Sequence, residues 1–172
     1  MDKVKCRMIP VSEVILSDYG RFDCGNEVLN NYLYASGYSD PDAVTYVVIN
    51  ENKHDIVAYF SLSCGAVYHK IYENRIEHYP AVEIKNFAVD TKYQHMEDDD
   101  GDTLALTILE YIKYNLIMDF TESVCGASRI ILYSVPDAVN FYKKAGFKEF
   151  VEDFIKNNMM YLEGCIPLIF NY

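Results

Sequence analysis

The sequence predicts an α/β (α+β) fold: one domain over residues 1–172, built on a mixed, mostly antiparallel sheet of about six or seven strands flanked by helices. Three observations carry that expectation. Two β-branched, apolar runs are separated by a short polar stretch, which is a hairpin signal. One long amphipathic stretch follows the fourth strand-like run, and a short second helix separates later strands. No repeat and no linker composition interrupts the 172 residues, of which 51% are apolar, enough for a sizeable core.

Residues 4–11, VKCRMIPV, suit a first or edge strand. In RFDCGNEVLNNYLYASGYSD, Asp23 or Asn26 is placed to cap a helix on which Val28, Leu29, Tyr32 and Leu33 recur at helical spacing. Ser36 to Asp42 is dense in Gly, Pro, Ser and Asp and reads as a loop. TYVVIN and DIVAYFSLSCGAV form the hairpin, with polar Glu51 to His54 between them. A polar stretch, KIYENRIEHYP, runs to Pro80, after which AVEIKNFAVD reads as a long, largely buried strand. Thr91 to Asp102 is a polar loop containing an acidic run. TLALTILEYIKYNLIMDF is the clearest helix, with Leu104, Ile108, Tyr111, Ile112 and Leu116 on one stripe. SRIILYSV is a strand, and PDAVNFYKKAG is a short helix with Pro136 early and Gly146 at its end. FKEFVED and MMYLEGCIPLIF read as two closing strands.

Lys and Arg number 15 against 26 Asp and Glu, a net charge of −11. Nucleic-acid binders carry a basic face, so nucleic acid is not the expected partner, and neither is an anionic membrane. No apolar run approaches the roughly 18 residues that span a bilayer. The start, MDKVKCRMIPV, lacks the apolar core of a signal peptide, and a cytoplasmic location is expected. Cys6, Cys24, Cys64, Cys125 and Cys165 are scattered and odd in number, which predicts buried, reduced thiols and no disulfide framework. The four histidines show no ligand spacing, and no metal is expected.

Three segments then occur in a telling order: Asp55 to Ser63 (DIVAYFSLS), Glu83 to Gln94 (EIKNFAVDTKYQ) and Ala138 to Phe147 (AVNFYKKAGF). They resemble the third strand, fourth strand and final helix of the GNAT superfamily of acyl-CoA-dependent N-acyltransferases. In that family the fourth strand often ends in Ala-Val-Asp followed by Tyr-Gln, and the helix carries Phe-Tyr-x-x-x-Gly-Phe. The opening RFDCGNEVLNNYL is similar to the subgroup that includes the acetyltransferase toxins of bacterial toxin–antitoxin pairs. The likeness spans residues 5–168.

The resemblance implies acetyl-CoA as co-substrate, bound where two central strands splay apart, with its pantetheine arm on the backbone of Phe87, Ala88 and Val89. An amine attacks the thioester directly. Such a reaction needs a base for the ammonium proton, donors for the oxyanion and an acid for the departing thiolate. By position, Glu83 is the candidate base and Tyr142 the candidate acid. Desolvation on an apolar strand would raise the pKa of Glu83; the alternative is a strand-end or solvent-facing carboxylate paired with Lys85. For Tyr142 the alternative is a core aromatic, in a chain with 16 tyrosines.

The family's pyrophosphate loop, Arg/Gln-x-x-Gly-x-Gly/Ala, places backbone N–H groups and the positive end of a helix against the CoA phosphates. Here Gln94 is followed by HMEDDDGD, with the glycine late, as though a few residues had been inserted. Glu97, Asp98, Asp99, Asp100 and Asp102 are acidic. A carboxylate about 4 Å from a phosphate charge costs roughly 1 kcal/mol in water and about 4 kcal/mol at an effective dielectric of 20. Either the acidic turn bulges into solvent and leaves the amides of Gly101, Asp102 and Thr103 for the pyrophosphate, or CoA binding is weak or lost. A smaller departure is Val135, where many members have Asn.

Three functions follow. The first is an N-acetyltransferase acting on a primary amine, for which the acidic surface favours a cationic small-molecule or protein acceptor. The second is a toxin that acetylates aminoacyl-tRNA and is paired with an antitoxin; Lys3, Lys5, Arg7, Lys143, Lys144 and Lys148 would have to supply a local basic patch. The third is a non-catalytic GNAT-fold sensing or binding protein. A homodimer through the last strands is expected by analogy alone.

Overall fold

The computed structural model describes residues 4–72, 75–97, 101–150 and 164–172. In chain order these form β1 (Cys6–Pro10), α1 (Glu27–Asn31), β2 (Val44–Asn50), β3 (Asp55–Tyr72) and β4 (Arg75–Val89). Then come α2 (Leu104–Tyr111), α3 (Met118–Ser123), β5 (Arg129–Ser134), α4 (Val139–Lys144), β6 (Lys148–Glu149) and β7 (Ile166–Asn171). The strands make a seven-stranded sheet in the order β1-β2-β3-β4-β5-β7-β6. The β4–β5 pair is parallel, while β1–β2, β2–β3, β5–β7 and β6–β7 are antiparallel. The mixed, mostly antiparallel sheet flanked by helices is the fold class expected from the sequence. The chain divides into two compact units, Met1–Ser63 with Lys85–Thr107, and Cys64–Ile84 with Ile108–Tyr172.

In the first unit, β2 and β3 form the expected hairpin, and Asn50 closes its turn by accepting from the amides of Asn52 (3.0 Å) and Lys53 (3.3 Å). Of the two candidate caps for α1, Asn26 is the one used: its side chain accepts from the amides of Val28 (3.0 Å) and Leu29 (3.2 Å). Asp23 instead accepts from Gly25 N–H and the Asn30 amide. Beyond Asn31 the helix widens into a π turn, Tyr32–Ser36. The expected apolar stripe is altered: Val28 is 70% exposed, whereas Leu33 is fully buried. Leu33 joins Phe22, Val47, Ile56, Tyr59 and Ala88 in the core of this unit. Tyr59 lies at its centre, edge-on to Phe22 at 5.4 Å, and its hydroxyl donates to the Leu29 carbonyl at 2.7 Å. Full burial of each such side chain contributes about 1.5–3 kcal/mol.

The second unit departs from the sequence expectation at KIYENRIEHYP. The described parts of that polar stretch are the outer arms of β3 and β4, with Pro80 inside β4. Half-exposed side chains pair there, as in the ring contact of Tyr68 with His78 at 4.7 Å. Strand pairing is made by the backbone, so polar composition concealed it. The core of this unit gathers Val67, Ala81, Ile131 and Ile169.

Between α2 and α3 the helix passes through a π turn, Ile112–Ile117. Beyond that turn Ile117 and Thr121 are buried and Leu116 is only partly covered; before it the buried face of α2 runs through Ala105, Ile108 and Leu109 to Ile112, so Tyr111, expected on the stripe, is 51% exposed. A 3₁₀ turn at Pro136–Ala138 leads into α4, and Gly146 ends it at φ +85°. Residues 151–163 of the two expected closing strands lie outside the described residues.

All five cysteines are unbridged, as expected, but none is fully buried; Cys6 and Cys64 are exposed. Among the described residues no helix is long and apolar enough to cross a membrane, and no three His, Cys, Asp or Glu side chains gather as metal ligands would.

Candidate active site

The carboxyl end of β4, Phe87 to Val89, is tied down by the loop that follows it. Asp90 is 1% exposed, and its carboxylate accepts from the amides of Asp23 (3.0 Å) and Lys92 (2.9 Å). Its own amide donates to the Val57 carbonyl at 2.9 Å, and its carbonyl accepts from Tyr93 (2.8 Å) and Gln94 (3.1 Å). The Gln94 side chain donates to the carbonyls of Val89 (2.9 Å) and Cys24 (3.0 Å). The side-chain amide of Gln94, the residue kept from the pyrophosphate motif, thus holds the strand end. The Tyr93 hydroxyl accepts from Asn50 (3.1 Å) and donates to Asp55 (3.2 Å), and burial raises its pKa.

Farther along, the two ends of the acidic loop meet. Glu97 bridges to Thr103, and the Leu104 amide donates to the Met96 carbonyl at 2.7 Å. Thr103 caps α2 by accepting from the Leu106 amide at 3.3 Å. Gly101 sits at φ +83°, with open space where a side chain would be. Asp98, Asp99 and Asp100 themselves lie outside the described residues.

Glu83 is half-buried on β4, opposite Ile131 of β5. Gly65 of β3 makes room beside it: a Cβ there would lie 3.5 Å from Glu83 Cβ and 3.1 Å from Ile131 Cδ1. Lys85, two residues further along the strand, pairs with Asp40 at 2.8 Å. The β4–β5 ladder consists of Val82↔Ile130 and Glu83↔Ile131.

Tyr142 lies on α4, 8% exposed, with its ring edge-on to Phe141 (5.1 Å) and Phe147 (5.9 Å). Its hydroxyl makes no hydrogen bond among the described residues, and burial raises its pKa well above that of a free phenol. It therefore stays protonated through the physiological range with a donor to give. That is what an acid for a thiolate leaving group requires. Phe147 N–H donates to the Tyr142 carbonyl at 3.1 Å, fixing the turn after the helix.

Sequence reasoning overlooked Asp90 and Lys113. Asp90 was visible as the last residue of Ala-Val-Asp. Lys113 was visible as a charge one residue beyond Ile112 on the apolar stripe, a position that usually selects against lysine.

No family model and no curated relative matches the sequence. Solved structures do match. A bacterial toxin aligns with TM-score 0.74 and 17% identity over 98% of this chain and 92% of its own. AtaTR bound with acetyl-CoA aligns with TM-score 0.66 and 21% identity over 96% and 92%. AtaT complexed with acetyl-methionyl-tRNAfMet aligns with TM-score 0.70 and 18% identity over 97% and 95%. At these identities the likeness speaks for the fold alone: over nearly its whole length the chain has a GNAT-like fold, similar to that of the toxin AtaT and of KacT.

Proposed function

We propose that this chain is an acetyl-CoA-dependent N-acetyltransferase of the toxin type, whose acceptor is the α-amino group of an aminoacyl-tRNA. The observation that carries this reading is the near full-length match to AtaT complexed with an acetylated aminoacyl-tRNA. In this reading the backbone of Phe87, Ala88 and Val89 holds the pantetheine arm, with Gln94 fixing the Val89 carbonyl. The amides of Gly101, Asp102 and Thr103 receive the pyrophosphate. Glu83 takes the ammonium proton, the freed amine attacks the thioester carbonyl to form the C–N bond, and Tyr142 protonates the sulfur as the C–S bond breaks; the second proton leaving nitrogen returns the Tyr142 phenolate to phenol through solvent. An antitoxin is the expected protein partner, since AtaT is seen bound to the C-terminus of the antitoxin AtaR.

A specific observation favours a second acceptor class, a free cationic amine. Lys5 and Arg7 both pair with Glu51, at 2.8 Å and 3.5 Å, and Lys143 pairs with Glu149 at 2.6 Å. Lys3 lies outside the described residues. Of the basic patch that tRNA would use, Lys144 and Lys148 remain exposed and without an ion pair among the described residues. Two phosphate contacts predict a shallow salt dependence, with log K falling by about 2 per decade of salt.

The deciding experiment supplies radiolabelled acetyl-CoA with charged tRNAs in one arm and a polyamine in the other. Label on the aminoacyl group supports the toxin reading, and label on the polyamine alone replaces it with the second. If acetyl-CoA in large excess fails to raise the melting temperature, both fail and a non-catalytic GNAT-fold protein remains.

A further inference from the structure

Lys113 is a buried ammonium that the chemistry above leaves unused. It projects from the π turn that joins α2 to α3, and its side chain is 1% exposed. Nζ donates to the Ala145 carbonyl at 2.6 Å and to both carboxylate oxygens of Glu110 at 2.9 and 3.0 Å. It also faces the rings of Phe170 at 4.2 Å, Tyr114 at 4.8 Å and Phe147 at 5.8 Å.

Ala145 is the C-cap of α4, three residues after Tyr142. The last carbonyls of a helix have no partner within it, and a cation placed there satisfies one of them. Phe147, the next large residue, packs on the Tyr142 ring and belongs to the same aromatic group around the ammonium. With no hydrogen bond on its hydroxyl among the described residues, Tyr142 takes its place from the backbone of α4 and from the rings beside it. Both converge on Lys113. Packing alone would be served by leucine or methionine, and a buried ammonium costs several kcal/mol unless it is paired and hydrogen-bonded.

We propose that Lys113 is a positioning residue for Tyr142, holding the C-terminal turn of α4 so that the phenol keeps one orientation. The inference rests on the acid role given to Tyr142 above. Lys113→Met keeps the length of the side chain and removes the charge. It should lower kcat about tenfold and leave KM for acetyl-CoA within about twofold. In a Tyr142→Phe background the same substitution should lower kcat by less than about twofold, because the group it positions is gone. An equal loss in both backgrounds, or a change confined to KM, overturns the inference, since a merely structural lysine would act alike in both. If Lys113→Met does not fold by circular dichroism, Glu110→Gln carries the same comparison, with an expected fall of about threefold that vanishes beside Tyr142→Phe. Unchanged kcat in whichever variant is used also overturns it. If Tyr142→Phe alone leaves kcat unaltered, the acid role has failed, and the positioning role fails with it.

Discussion

The end of β4 and the end of α4 carry motif residues of opposite kinds. At β4, Asp90 and Gln94 direct their polar atoms onto backbone groups of Asp23, Lys92, Val89 and Cys24. At α4, the turn is held from outside by Lys113 and by a backbone bond from Phe147, while the Tyr142 hydroxyl makes no bond of its own among the described residues. In the first region side chains hold the main chain still; in the second the main chain is held and a side-chain hydroxyl is left without a bond among the described residues, as the proposed acid role of Tyr142 requires. Hydrogen-bond saturation is thus the property that separates the two motif regions.

The sharpest way to break this contrast is Tyr142→Phe. It should lower kcat about 100-fold in a thiol-release assay, while the unfolding free energy stays within about 0.5 kcal/mol because the hydroxyl has no bond to lose among the described residues. Surviving activity would return Tyr142 to the role of a core aromatic.

The reverse pattern is expected for Asp90→Ala. Loss of a buried carboxylate that accepts two backbone amides should cost about 2 kcal/mol in urea unfolding, and should raise KM for acetyl-CoA more than it lowers kcat. An unfolding curve like the parent's would show that the strand end is held by something else.

A smaller effect sharpens the comparison at Asp40. The Lys85 ammonium beside it holds its carboxyl below the usual carboxylate range, and Lys85 is raised in turn. A lowered folded pKa contributes stability above the unfolded value, near 4, that is lost as pH falls through the folded one. Asp40→Asn should remove that part of the acid limb when urea midpoints are followed downward from pH 6. With Lys85 partly exposed, the amount is well under about 1 kcal/mol.

The fold was legible because its signals are local. The hairpin, the Asn26 cap and the Pro136–Gly146 bracket of the short helix all rest on residues close together in the sequence. Val28 and Tyr111 lie in regular α-helix yet face solvent, because the packing partners, and not apolar spacing alone, select the buried face. The outer arms of β3 and β4 were hidden by polar composition. At the candidate site, the motif residues placed Tyr142 on the short helix and Phe87 to Val89 at a strand end, where the structure has them. The bonds of Gln94 to Cys24 and of Lys113 to Ala145 join residues distant in sequence, and no spacing rule links them.

The meeting of Met96 with Leu104 has a consequence for how such a loop can change over evolution. A segment whose two ends are already joined can lengthen at little entropic expense, about 0.6 kcal/mol for each doubling of its length. The start of α2 and the end of β4 are then insulated from whatever is inserted between them. Charge can then accumulate between Glu97 and Thr103 while the paired ends at Met96 and Leu104 keep their geometry.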